Sequence, residues 1–531
     1  MKNSRRYKNR LKNLILPAVV FGSLSGIFTA VLVTLYKFCA GKIIHFSQHA
    51  YGYMRTHFWL LPVAIALVFL AALVYKTVLT KHPNVKGGGI PTSIALLRGI
   101  ISFRWAVNLV WVFVMSLLSF LIGVPLGNEG PSVQMGTSVG KGVIHLFAKK
   151  QKAYSRYAMT GGACAGFSIA TGAPISGMMF AVEEAHQRIS PMIIMVSAIS
   201  VLFAGVTSSL LAPVLGVSTS LFVLGSPLKV LAVKDLWLPL VVGVVIGLFA
   251  VAFLKIYKVI NKFVTGSFSK IPFYWRVVII LACTLLLGVI SFDFISTGHE
   301  LALSLFETNR GLVLLLVILA VRSLLTLFAN TNGITGGIFL PIISLGAVVS
   351  AVIGTVCVKY CGLNSEYYTV ILVLGISACI SGMMKMPLTA VFFAVEALGC
   401  YENIIPVILV VAASYSMTEI FGVKSINDTV IDARVKAIYA DKQPVLTDTH
   451  VVVRDGSFAV GKQVRDILWP NNLFVLSIHR EEQKNSLVDE HGEKHIHPGD
   501  TLHVRYSSPD PETAREELYA IVGEQAINDE L

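Results

Sequence analysis

At 531 residues, with 55% of them hydrophobic, only 14% charged and a mean hydropathy of +0.72, the chain lies far outside the soluble globular range. That composition defines a polytopic membrane protein. A net charge of +13 would suit nucleic acid, yet the basic residues fall mostly in short loops and the first dozen positions. They read as orienting charges, and no nucleic-acid partner is expected.

Lys2, Arg5, Arg6, Lys8, Arg10 and Lys12 precede an apolar run over 14–45. The positive-inside rule places this basic segment, 1–13, in the cytoplasm. The run is too long for a signal-peptide core and lacks a small-residue cleavage site, so it is expected to be retained. Further apolar segments follow at 58–79, 104–126, 157–185, 191–213, 236–264, 273–293, 310–329, 338–359, 366–398 and 404–421. Gly87-Gly88-Gly89-Ile90-Pro91, Gly172-Ala173-Pro174, Gly333 to Pro341 and Lys385-Met386-Pro387 interrupt them. Irregular backbone cannot face lipid, so these breaks predict half-helices that meet inside the protein. The fold class is therefore an all-α membrane protein with interrupted and re-entrant helices.

Among the breaks, Gly127-Asn128-Glu129-Gly130-Pro131 sets a carboxylate between glycines at membrane depth. An acid there is costly and should face a pore or polar cavity. Gly127 and Gly130 let backbone approach a ligand, and Pro131 suits the first turn of a helix. The free N–H groups of that turn form an anion site. Glu129, itself an anion, can occupy the site when ionised and leave when protonated, which would couple a proton to an anion. The plainer alternative is an acidic helix cap.

Self-comparison reveals a duplication. Pro174 and Phe180-Ala181-Val182-Glu183 recur as Pro387 and Phe393-Ala394-Val395-Glu396 at an offset of 213 (387 − 174), while Pro131 and Gly136 match Pro341 and Gly346 at 210 (341 − 131). The repeats cover roughly 90–200 and 300–415, and counting spans leaves open whether they are parallel or inverted. Glu183 and Glu184, followed by His186 and Arg188, fit two roles equally: interface residues paired with nearby bases, or a second buried acid on a proton path. Arg322, deep in an apolar segment, is expected to be paired or snorkelling.

Seven cysteines are scattered through the apolar part without a disulfide pattern. Cys357 and Cys361 share a helix face but read as packing residues. Gly136 to Gly142 resembles a phosphate loop only superficially, since Gly142 stands where a hydroxyl should bind magnesium. No catalytic triad, zinc dyad or dinucleotide fingerprint is present, so neither an enzyme nor a metal site is expected.

Beyond about Lys436 charged and polar residues dominate, and 437–531 reads as a small cytoplasmic α+β domain. Strands are expected at His450–Arg454, Leu473–His479 and Thr501–Tyr506, with helices at Val460–Leu468 and Pro511–Val522. His479, His491, His495, His497 and His503 collect there, where solvated histidines are commoner than metal ligands.

These motifs resemble the CLC family of chloride channels and proton-coupled anion exchangers over essentially all of 14–435. Gly127 to Pro131 looks like that family's gating-glutamate motif, Gly87 to Pro91 like its first anion-binding loop, and Gly336-Gly337-Ile338-Phe339-Leu340-Pro341 like its third. The resemblance implies inverted repeats and a homodimer with one ion pathway per subunit; the chain is expected to lie in the cell membrane with both termini cytoplasmic. It also implies anion contacts from Gly88, Gly89, Ile90, Gly127, Asn128, Gly130, Ile338 and Phe339, and makes Glu129 the external gate and proton acceptor. Glu184 matches the internal proton-transfer acid of the exchangers, which favours chloride/proton antiport over a passive channel. Three departures point the other way. Gly88 replaces a serine, Asn427 replaces a tyrosine at the central anion, and Asn128 replaces an arginine, as in the fluoride-exporting branch. The tail resembles the RCK (TrkA-C) module through Asp466 to Pro470 and His497-Pro498-Gly499-Asp500, implying dimerisation and a small regulatory ligand such as a cyclic dinucleotide. Otherwise no cofactor is expected, and chloride is substrate.

Overall fold

The computed structural model describes residues 15–225, 228–438, 444–480, 483–487, 492–508 and 510–523, with backbone alone at 437–438 and 483–487. The basic segment 1–13 and His491 lie outside the described residues. Eight helices make up the first half of the membrane part: α1 (Leu16–Thr56), α2 (Leu61–Lys81), α3 (Ile90–Leu97), α4 (Trp105–Ile122), α5 (Glu129–Phe147), α6 (Ser155–Thr171), α7 (Pro174–Phe180) and α8 (Pro191–Leu215). Eight more repeat the order: α9 (Trp237–Thr265), α10 (Phe273–Ile290), α11 (His299–Glu307), α12 (Leu312–Thr331), α13 (Phe339–Tyr360), α14 (Tyr368–Met384), α15 (Pro387–Glu396) and α16 (Ile404–Ile420). The duplication thus begins well upstream of 90 and 300. Its outer helices face lipid, and there only apolarity is constrained, so residue identities drift.

The two halves are inverted. Gly127 and Gly337, equivalents at the offset of 210 (337 − 127), exchange both backbone hydrogen bonds in an antiparallel bridge, at 2.6 and 2.7 Å. Glu183 accepts from the Leu388 and Thr389 N–H groups at the start of α15, and its equivalent Glu396 accepts from Ile175 and Ser176 at the start of α7. Equivalent groups that trade equivalent bonds lie about a twofold axis. Because α7 and α15 cap each other head to tail, that axis reverses chain direction.

Nine helices among the described residues are long and apolar enough to cross a membrane. In the most apolar window of α14, 89% is buried, against 22% for α2, so α14 sits at the centre and α2 against lipid. α5 stands outside the apolar segments because it is enclosed by protein. A Cβ on Gly136 would lie 2.0 Å from the Gly162 carbonyl of α6, so the two backbones meet through small residues. Polar side chains of α5 bond to Asn108 of α4, with Gln134 Nε2 donating to Asn108 Oδ1 and Asn108 Nδ2 to Ser138.

α17 (Ile426–Ile438) re-enters the membrane part, after which come β1 (Val445–Val452), β2 (Leu473–Arg480), β3 (Gln483–Leu487), β4 (Thr501–Ser508) and α18 (Pro511–Val522). The strands form one antiparallel sheet in the order β1-β4-β2-β3, and α18 packs on β1 and β4. The expected helix at Val460–Leu468 is replaced by turns and one short 3-10 segment, Val464–Asp466. β1 starts earlier than expected, since its pairing with β4 already begins at Val445 and Ser508, and it stops short of Arg454, whose N–H turns to the Val522 carbonyl.

Candidate functional site

Three interrupted segments meet at one point. Gly89 caps α3 with φ +76°, and a Cβ there would lie 2.2 Å from the Gly130 carbonyl. A Cβ on Gly130 would lie 1.9 Å from the Gly88 carbonyl and 2.7 Å from Gly337 Cα. Only glycine permits this, so the loops before α3, α5 and α13 pack backbone on backbone. Asn128 precedes α5 and Ile338 precedes α13, and neither helix start has a side-chain cap. Their first-turn N–H groups have no intrahelical acceptors, which makes the junction electropositive. Of the expected contact residues, Gly88, Gly89, Ile90, Gly127, Asn128, Gly130, Ile338 and Phe339 all lie on these three segments. The Ile90 N–H, however, is spent on the Gly88 carbonyl at 2.9 Å.

Glu129 is fully buried, and neither carboxylate oxygen has a hydrogen-bond partner among the described residues. The side chain folds back on the junction, where it faces the Glu129 and Leu340 N–H groups at the starts of α5 and α13. A Cβ on Gly127 would lie 2.5 Å from Glu129 Oε2 and 3.4 Å from the Leu340 nitrogen, so the carboxylate sits beside the first turn of α13. Leu340 went unremarked as a site residue in the sequence, although it falls within the third glycine motif.

Glu184 occupies a π turn, Ala181–Ala185, that continues α7. It is 3% exposed. Its Oε1 accepts from Asn427 Nδ2 at 3.0 Å, so Asn427, expected beside the central anion, also contacts the second acid. Arg98 fixes the same turn, donating to the Glu184 and Ala185 carbonyls at 2.8 and 3.0 Å and pairing with Asp428 at 3.6 Å. The neighbours divide the two roles left open for the acid pair: Glu183 holds the halves together, and Glu184 is the enclosed acid. Phe167, Phe180, Phe339 and Phe393 pack ring on ring at 5.0–5.6 Å, tying α7 and α15 to the head of α13.

The tail docks directly behind Glu184. Arg188 donates to the Ile467 carbonyl at 2.9 Å, Tyr157 to that of Asp466 at 2.9 Å, and Arg156 to that of Trp469 at 2.5 Å. Arg156 also pairs with Glu517. The Leu468 N–H returns a bond to Tyr157 at 3.0 Å. The membrane part takes the carbonyls of Asp466, Ile467 and Trp469 and the Leu468 N–H, while the Val464 and Arg465 N–H groups go to Lys494 and Gly492, so only short 3-10 and turn bonds remain within Val464–Trp469. Arg322 neither snorkels nor meets a carboxylate; it is 1% exposed and donates to the carbonyls of Asp293, Ile295 and Ser296 before α11. In the tail, His503 contacts Asp448 and His497 contacts Arg480, and no group of three metal-ligating side chains occurs among the described residues.

An inverted duplication whose broken helices aim uncapped N-termini at a buried, unpartnered acid defines an anion-handling membrane protein of the CLC fold. The chain belongs to the voltage gated chloride channel family, whose pattern it matches over residues 66–419. It is similar to the H(+)/Cl(-) exchange transporters ClcA of Salmonella arizonae and Salmonella newport, each 27% identical over 440 residues, 80% of this chain and 89% of the relative. Among solved structures, it resembles a slow cyanobacterial Cl-/H+ antiporter (TM-score 0.71, 22% identity, 79% of this chain and 98% of that one). It also resembles a CLC-type fluoride/proton antiporter (TM-score 0.62, 20% identity, 77% and 97%).

Proposed function

We propose that this protein is a secondary-active antiporter that exchanges chloride for protons, with Glu129 and Glu184 as its two proton stations. The observation that carries the reading is the state of Glu129. A buried carboxylate with no partner, lodged against an uncapped helix start, competes with an anion for the same N–H groups and must be protonated or displaced to leave. Glu184 offers a second enclosed acid reached from the side on which the tail docks. The backbone donors at Gly88, Gly89, Gly127, Asn128, Gly130, Ile338 and Phe339 serve the anion.

The assembly is a homodimer, with the tail and N-terminus in the cytoplasm and the tail binding a small regulatory nucleotide. The ClcA relatives support the choice of chloride. Asn128 supports a second reading, fluoride/proton exchange. Both are tested by anion-driven proton uptake into liposomes holding the purified protein, with chloride and then fluoride as driving ion. Uphill proton movement is expected, and the better driver identifies the substrate. Anion flux without protons would exclude antiport.

A further inference from the structure

Asn330 stands in the last turn of α12 and is only 8% exposed. Its Oδ1 accepts from the Tyr257 hydroxyl of α9 at 3.4 Å, which turns Nδ2 the other way, toward the glycine junction. There Nδ2 lies 3.5 Å from the point where a Cβ on Gly88 would sit, and the same point is 3.9 Å from the Gly336 carbonyl. Among the described residues Nδ2 makes no hydrogen bond.

A primary amide nitrogen carries two donors, and among the described residues no protein acceptor takes either of them, so both are free for a ligand at the Gly88 loop. An anion held against the Gly88 loop would satisfy them, and a bond from a neutral donor to an ion is among the stronger hydrogen bonds. The surrounding charge favours the same occupant. Arg434 of α17 lies against this loop, donating to the Lys86 carbonyl and to Thr92 Oγ1, and pairs with no carboxylate among the described residues. Asn427 donates to Glu184, whereas Asn330 is turned to Gly88.

We propose that Asn330 is a direct side-chain ligand of the transported anion at Gly88, a specificity-determining residue, with Tyr257 as the positioning residue that sets which way its amide points. The inference rests on the anion-transport reading. Gly88 is outside the left-handed region and a Cβ there would make only ordinary contacts, so the gap also accepts a hydroxyl from the opposite wall.

The test is chloride binding to the purified full chain by calorimetry, together with the ratio of chloride to fluoride flux in liposomes. Asn330→Asp keeps the shape and replaces donors by acceptor oxygens; it is expected to weaken chloride binding about ten- to hundredfold. Asn330→Ala should weaken binding and change the flux ratio. Gly88→Ser in the Asn330→Ala background should recover most of the affinity, and Tyr257→Phe should give an intermediate loss. Wild-type affinity and flux ratio in both Asn330 variants would overturn the assignment while leaving transport intact. Should Asn330→Ala not be recovered as a monodisperse protein, the isosteric Asn330→Asp decides by the same measure. A wild-type protein that binds and carries no halide would overturn the transport reading, and this assignment with it.

Discussion

Glu129 and Glu184 are both enclosed carboxylates, and their partners separate them. Glu129 has none and sits at the glycine junction, whereas Glu184 is held by Asn427. Glu129→Gln keeps the size and removes the titration, so proton uptake in liposomes should fall to background while anion leak persists; retained coupling would refute its role as a gate. Asn427→Ala discriminates between two tasks for that side chain. If it serves Glu184, proton flux should fall severalfold with chloride affinity unchanged. If it serves the anion, affinity should fall as well. Glu129 was legible in the sequence because its significance is local: glycines on either side, a proline behind it, apolar sequence around it. The partner of Glu184 was not, since Asn427 lies 243 residues away along the chain and nothing local in Lys424 to Asp428 encodes a contact made across the fold.

At the level of elements, α7 and α15 are short helices with prolines at their starts, and each depends on a carboxylate from the other half. Removing Glu183 orphans the Leu388 and Thr389 N–H groups and the Thr389 hydroxyl, and removing Glu396 orphans Ile175 and Ser176. Each alanine substitution should cost about 1–2 kcal/mol, as for loss of a helix cap. The pair share one antiparallel contact, so the double variant should cost less than the sum. Thermal unfolding in detergent measures this, and additive losses would mean that the caps act independently. The repeated Phe-Ala-Val-Glu made both acids visible in the sequence, and the constant offset revealed the duplication. Its inversion was hidden there, because handedness about an axis appears only when equivalents such as Gly127 and Gly337 are seen bonding to each other.

For the whole molecule, the tail and the membrane part share a wall in which the Glu184 turn, Arg188 and the 464–469 loop are consecutive layers. The sequence showed a separate tail with strands and a last helix, yet missed this wall, because the groups used on the tail side are main-chain carbonyls that carry no residue signature. Lys462 gives the wall a pH dependence. It is 6% exposed, donates to the Phe458 carbonyl, and its ammonium lies 3.6 Å from the Phe458 ring centre and 6.0 Å from that of Tyr154. Burial pushes its pKa down to about 7, whereas an unburied lysine stays charged to about 10.4. Between those values the unfolded tail holds a proton that the packed tail has released. Stability must therefore rise with pH across this window, by at most about 1.4 kcal/mol per pH unit, and be lowest below pH 7. Protease cleavage of the tail in the full-length protein should accordingly be faster at pH 6.5 than at pH 8.5. Lys462→Met, which keeps the stem and removes the charge, should erase the difference. Arg156→Ala should raise cleavage at both pH values, since it removes the Trp469 and Glu517 contacts without touching the titrating group. A pH difference that survives in Lys462→Met would assign the effect elsewhere in the wall, with Glu517, whose pKa burial raises, as the next group to substitute.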